Sequence, residues 1–255
     1  MSYLVDSHCH LHDREFFTSE QAEKMLRNAK ENGVNQIVCI GTGVEDSLEA
    51  KKFAEKNDSV FWTFGIHPEY AGKTKNFLNA FKDNKDDKLV AIGEVGLDYH
   101  YEPFDKSDQI KLFEEMLQLA KDNDLPVCFH IREAFDDFFA VTENFSGIKG
   151  VVHSFTDSKK VLRKILETTD FYVGVNGLAT YSTLPLPPLE RIILETDAPF
   201  LTPTPFRGII NEPAYIKNIA DWLSEKTGVS SEKVAEKTTE NVQKLYRLPN
   251  SENRG

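Results

Sequence analysis

Eight short runs of apolar and β-branched residues recur along this 255-residue chain, at 4–8, 36–40, 60–66, 89–94, 126–130, 149–153, 171–175 and 191–196. Stretches with helical periodicity fill most of the gaps. A strand buried on both faces reads as a continuous apolar run, and strands alternating with amphipathic helices build parallel sheets. Eight such units favour a closed (β/α)8 barrel over an open doubly wound sheet. Thr18 and Gln21 have the spacing of a capping box ahead of a stripe at Ala22, Met25, Leu26 and Ala29. Ile110, Phe113, Met116, Leu117 and Ala120 form a second stripe, and Val161, Leu162, Ile165 and Leu166 a third. Two more helices are expected near 212–226 and 231–246. The interval 178–190 breaks the rhythm, because Pro185, Pro187 and Pro188 exclude a regular helix interior. A chain break or an irregular, poorly ordered stretch is expected there. No Ser/Gly linker, low-complexity tract or repeat divides the sequence, so one domain over 1–255 is expected.

Chemistry-bearing side chains collect where the strands are expected to end. His8 and His10 close the first run, Glu94 the fourth, His130 the fifth, His153 the sixth and Asp197 the eighth. In a (β/α)8 barrel the C-terminal strand ends surround the active site, so all six converge on one mouth. His8 and His10 are two apart on a strand and share a face, while Cys9 points away. Taken singly, each residue has an ordinary reading: a core histidine bonded to a carbonyl, or a carboxylate capping a helix. Five strand ends at once do not fit that reading. Imidazole nitrogens and carboxylate oxygens suit Zn²⁺, Mn²⁺ or Mg²⁺. Four histidines with two carboxylates exceed one tetrahedral centre and suit two cations about 3.5–4 Å apart sharing a carboxylate. Such a pair activates water for hydrolysis.

Composition narrows the partners. The formal charge of −11 and the lack of a basic stripe argue against a broad grip on duplex DNA. Bound cations would reverse the field locally. No apolar run approaches the roughly 20 residues that span a bilayer, and no secretory signal opens the chain. Three scattered cysteines, Cys9, Cys39 and Cys128, suit reduced thiols. The expected compartment is the cytoplasm.

Longer motifs carry a resemblance. His8-Cys9-His10-Leu11, Phe64-Gly65-Ile66-His67-Pro68, Gly93-Glu94-Val95-Gly96-Leu97-Asp98-Tyr99, His130-Ile131-Arg132-Glu133-Ala134, Glu195-Thr196-Asp197-Ala198-Pro199, and Arg207-Gly208 with Asn211-Glu212-Pro213 together resemble the TatD-type hydrolases over almost the whole chain. The resemblance implies Mg²⁺-, Mn²⁺- or Zn²⁺-dependent nuclease activity on DNA, often exonucleolytic. It also implies that His8, His10, Glu94 and Asp197 hold one metal and Glu94, His130 and His153 the other. Asp197 is in addition a candidate acceptor of the proton from the attacking water. Arg132 and Arg207, expected in mouth loops, are candidates for phosphate contact, and His67 for substrate contact. For His12 and His100 the structural reading is preferred. Two departures from the family stand out: Ser154-Phe155-Thr156-Asp157 where Cys-Phe-Thr-Gly is frequent, and the helix-free interval 178–190. Chain ends and frayed single strands are the expected DNA substrates. The alternatives are an ester hydrolase such as a D-aminoacyl-tRNA deacylase, and a non-catalytic metal-binding scaffold.

Overall fold

All eight expected strands form, and they pair in sequence order, each neighbour parallel to the next. They are β1 (Leu4–Cys9), β2 (Val34–Cys39), β3 (Val60–Phe64), β4 (Leu89–Asp98), β5 (Val127–Arg132), β6 (Gly150–Val152), β7 (Tyr172–Val175) and β8 (Ile192–Leu194). Helices α1 (Ser19–Glu31), α2 (Val44–Glu55), α3 (Phe77–Asn84), α4 (Lys106–Asp122), α5 (Phe135–Thr142) and α6 (Lys159–Thr168) connect consecutive strands as far as β7, and α7 (Ile216–Thr227) and α8 (Ser231–Tyr246) follow β8. The chain is a (β/α)8 barrel. This computed structural model describes residues 3–74 and 76–250; residues 1–2, 75 and 251–255 of the expected 1–255 domain lie outside the described residues.

Local signals account for the helices. Thr18 accepts from Gln21 N–H and the Gln21 side chain accepts from Thr18 N–H, the reciprocal box that starts α1. Asp105, Ser158 and Ser230 cap α4, α6 and α8 in the same way from one side. The apolar stripes of these helices meet the outer face of the sheet, where Phe113, Phe129 and Phe138 pack ring against ring. Burying each such side chain contributes about 1.5–3 kcal/mol. A second cluster fills the barrel interior with Val38, Ile40, Cys128, Val151 and Ile193, and Val242, Leu245 and Tyr246 of α8 join it. The end of α8 therefore stops the barrel opposite the mouth.

The strand ends differ from the sequence reading in ways that matter for the site. β4 runs to Asp98, four residues past Glu94, so Glu94 lies inside a strand rather than at its end. The ladder to β5 shifts register between Ile92 and Val95, a bulge that re-aims the Glu94 side chain. Gly96, at φ 151, marks close approach rather than a turn, because a Cβ there would collide with the His130 carbonyl oxygen. β5 likewise continues to Arg132, which places that arginine on the strand and not in a loop. β3 stops at Phe64, and His67 caps the 3-10 turn Pro68–Tyr70. β8 stops at Leu194, three residues short of Asp197.

Between β7 and β8 the chain follows an irregular path, one of the two outcomes expected there. A 3-10 turn at Gly177–Tyr181 and another at Leu189–Arg191 flank an irregular segment, with no α-helix. The prolines act as anticipated, but a helix is not needed for the return, since extended chain covers more than 3 Å per residue. The first and last strands close the barrel through a short seam: Cys9 bridges Ala198 in parallel. His10 N–H donates to Ala198 O at 2.7 Å and Asp197 N–H to His8 O at 2.8 Å.

Candidate metal centre

All six side chains assigned to metal from the sequence meet at the mouth, around Glu94. Its Oε1 lies 2.6 Å from His130 Nδ1 and 3.1 Å from His153 Nε2. Its Oε2 lies 3.6 Å from His8 Nε2. Asp197 Oδ1 stands 3.4 Å from His8 Nε2 and 3.5 Å from His10 Nε2. Asp197 reaches this point with φ 58, a left-handed conformation that Asp tolerates better than most residues. The rings of His8 and His153 stack at 3.9 Å, 12° from parallel.

Each imidazole turns one nitrogen to this centre and the other away from it, and for three of the four the outer nitrogen finds a hydrogen-bond partner. His10 Nδ1 bonds Ile40 O at 3.1 Å; since a carbonyl only accepts, Nδ1 donates and Nε2 is the nitrogen left facing the centre. His8 Nδ1 meets Cys128 Sγ at 3.4 Å. His130 Nε2 meets Asp98 Oδ2 at 2.9 Å, and His153 Nδ1 lies 3.5 Å from Glu195 Oε1. Outer partners of this kind fix the tautomer and ring orientation of metal-binding histidines. His8 Nε2 is buried and has no hydrogen-bond partner among the described residues, although two carboxylates face it. A buried polar atom left in that state needs an explanation, and a cation among these donors supplies one.

Burial opposes charge throughout the centre, yet its carboxylates and imidazoles hold one another charged, and the facing carboxylates raise His10, His130 and His153 above the ordinary histidine value. Burial alone would push the Glu94 carboxyl up, yet His153, His130 and His8 hold it well below the usual carboxylate range. Asp197 is also held low, its burial outweighed by the bond to His10. Burial and the neighbouring His153 keep His8 below its ordinary value. Two ionised carboxylates thus persist in a buried setting where ions require compensation.

The comparisons with known proteins agree with this geometry. A family model described as TatD related DNase matches residues 5–247. The chain belongs to the TatD family. The uncharacterized metal-dependent hydrolase YabD of Bacillus subtilis is 34% identical over 256 residues, 96% of this chain and 99% of YabD. The 3′-5′ ssDNA/RNA exonuclease TatD of Pantoea ananatis is 34% identical over 251 residues, 91% of this chain and 95% of that protein. Among solved structures, the TatD homolog YJJV of Escherichia coli superposes with a TM-score of 0.85 at 27% identity, covering 96% of this chain and 98% of YJJV. This TatD-family protein is accordingly a metal-dependent hydrolase.

Around the centre of this TatD-family barrel, the substrate candidates separate. Arg132 lies over the Tyr101 ring at 4.8 Å and Arg207 over Tyr181 at 4.3 Å. Neither guanidinium reaches a carboxylate among the described residues. His67 sits beside the centre, its ring 4.4 Å from that of His130; burial and His130 lower it to about 3, so it is neutral. His12 and His100 stand apart, paired with Asp46 at 3.0 Å and Glu133 at 2.7 Å.

Three carboxylates given no role by the sequence reading support the TatD-family site. Asp6 accepts from Thr196 N at 2.9 Å and Thr196 Oγ1 at 2.5 Å, bolting the His8 strand to the Asp197 segment. Full burial pushes its carboxyl up to about 8, despite those bonds. Glu195 accepts from Ser154 N at 2.6 Å and Asn176 Nδ2 at 3.2 Å and faces His153. Asp98 orients His130. The two-residue spacings Asp6-His8-His10 and Glu195-Asp197 are the signal that could have found two of them.

Proposed function

We propose that the chain hydrolyses phosphodiester bonds of single-stranded nucleic acid from an end, with two divalent cations. His8, His10, Glu94 and Asp197 would hold one, and Glu94, His130 and His153 the other. The observation that carries this reading is Glu94, whose two oxygens face different histidine sets, His8 on one side and His130 and His153 on the other. Mg²⁺, Mn²⁺ or Zn²⁺ in such a cradle supplies charge neutralisation at a phosphate and a more acidic water.

The protein's own groups do the rest. Asp197 accepts the proton of the attacking water as the water oxygen bonds phosphorus and the P–O bond to the leaving nucleotide breaks, the leaving oxygen taking a proton from solvent. Arg132 and Arg207 keep their donor forks unpaired by carboxylates and contact substrate phosphates. Neutral His67 borders the substrate beside His130. The Pantoea relative, named for ssDNA/RNA exonuclease activity, supports a single-stranded substrate. Three buried, unpaired cysteines support a cytoplasmic setting. No helix among the described residues is long and apolar enough to cross a membrane.

The test is to strip the protein with chelator and reload it separately with Mg²⁺, Mn²⁺ and Zn²⁺. It is then assayed on 5′- and 3′-labelled single and double strands and on D-aminoacyl-tRNA. The expected result is metal-dependent, stepwise shortening of single strands. With a net charge of −11, the slope of log affinity against log salt should stay below about 3 in magnitude. Turnover of D-aminoacyl-tRNA with no oligonucleotide cleavage would overturn the proposal.

A further inference from the structure

We propose that Phe16 and Phe200 form a platform on which an unpaired base of the substrate strand stacks, next to the phosphate at the metal centre. This inference rests on the phosphodiester reading above. Both rings are half exposed, 43% and 45%, beside the candidate metal centre. They meet edge to face at 5.2 Å. The Phe200 ring lies 6.3 Å from that of His10, a separation that the sugar of one nucleotide bridges between its phosphate and its base.

The platform is fixed to the centre through the backbone. Asp13 N–H donates to His10 O at 3.0 Å and Phe17 N–H to Asp13 O at 3.0 Å, and buried Phe17 anchors the turn that presents Phe16. Phe200 N–H donates to Asp197 O at 2.8 Å. Buried Asn211 holds Phe200 O at 2.6 Å and Thr196 O at 2.8 Å. Each phenylalanine is thus tied to a residue of the candidate centre, and their spacing from it is set by the fold.

The chemistry identifies the occupant. Exposed aromatic faces close to a phosphate-processing centre favour a flat, polarisable ring, and every nucleobase offers one, whatever its sequence. Exposed Arg14 and Glu15, with half-buried Asp13, border Phe16, and a small aromatic pair beside charged residues suits a single base better than a broad protein interface. Inside a duplex both faces of a base are covered by its neighbours. The platform therefore selects terminal or unpaired nucleotides.

The test crosses protein and substrate. Wild type, Phe200→Ala and Phe200→Trp are assayed on an end-labelled single strand and on the same strand with abasic terminal nucleotides; circular dichroism checks folding. Removing either ring or base should raise KM roughly tenfold with kcat nearly kept, and removing both should cost no more than removing one. The Trp variant should restore the ordinary KM. An unchanged KM in Phe200→Ala, an equal further loss on the abasic strand, or failure of Trp to rescue would overturn the platform while leaving cleavage intact. Absence of wild-type cleavage with any cation would instead overturn the phosphodiester reading and the platform with it. Phe16→Ala gives a second check, expected to show the same pattern with a smaller change.

Discussion

Glu94 faces His8, His130 and His153 at once, so the effect of its charge can be separated from that of its shape. Glu94→Gln preserves volume and hydrogen-bonding capacity but removes the negative charge between the two ligand sets. We expect the variant to keep the far-ultraviolet circular dichroism of a folded barrel while turnover falls at least about 100-fold, since even outer partners of metal ligands are worth 10- to 100-fold. Bound metal measured by mass spectrometry should fall in parallel. Near wild-type turnover by a folded variant would show that no cation is shared through this carboxylate. The six residues around the centre were legible because each lies at or near the C-terminal end of an apolar run. Asp6, Asp98 and Glu195 were not assigned, although Asp6 shares a strand face with His8 and Glu195 has the same two-residue spacing from Asp197. Spacing gives the face but not the depth, and depth in the barrel decides which carboxylate meets the centre and which stands behind it.

At the scale of elements, α2 is joined to the loop after β1 by His12 and Asp46. Asp46, in the first turn of α2, accepts from Thr42 N at 2.7 Å and Thr42 Oγ1 at 3.0 Å just ahead of the helix, and His12 Nε2 approaches from the loop after β1. Burial opposes charge on His12, but the Asp46 bond outweighs it and lifts the imidazole from 6.5 to about 10. Against its own burial, Asp46 is drawn from 3.8 to about 2, chiefly by His12. A raised histidine contributes stability fully below its unfolded value and loses it as pH climbs through the folded value. A lowered aspartate contributes above its unfolded value and loses it as pH falls through the folded one. The excess stability of wild type over His12→Asn should therefore be largest between 3.8 and 6.5 and fade toward about 10. Denaturant midpoints across pH measure this, and a difference that stays unchanged from 6.5 up to about 10 would show that the ion pair contributes nothing. The strands were legible as apolar runs, but their ends were not. β4 and β5 continue past Glu94 and His130 because Val95–Asp98 pair with Phe129–Arg132, a tertiary fact that no local pattern announces. The prolines of 178–190 correctly excluded a helix and gave no indication of the path taken instead.

The whole molecule is acidic, and its two ends differ in purpose. A groove of about 960 Å³ opens at the rim where β6, β7 and β8 begin, among Lys149, Asp170 and Arg191. It holds no histidine. The ligand-capable side chains sit at the opposite rim, at the C-terminal strand ends. The seam between β1 and β8 links chemistry to architecture, because the two amides that cross it to backbone carbonyls belong to His10 and Asp197 themselves. A cation that draws these side chains together binds only the closed barrel, so it must stabilise that closure in proportion to its occupancy. Amide hydrogen exchange at positions 10 and 197 should then slow as Mg²⁺ or Zn²⁺ is added, while amides in α5, remote from the seam, change little. Equal exchange with and without cation would uncouple the two. Exchange at two backbone positions becomes a gauge of metal loading that needs no substrate, and a metal-starved copy of this protein is loosely latched as well as idle.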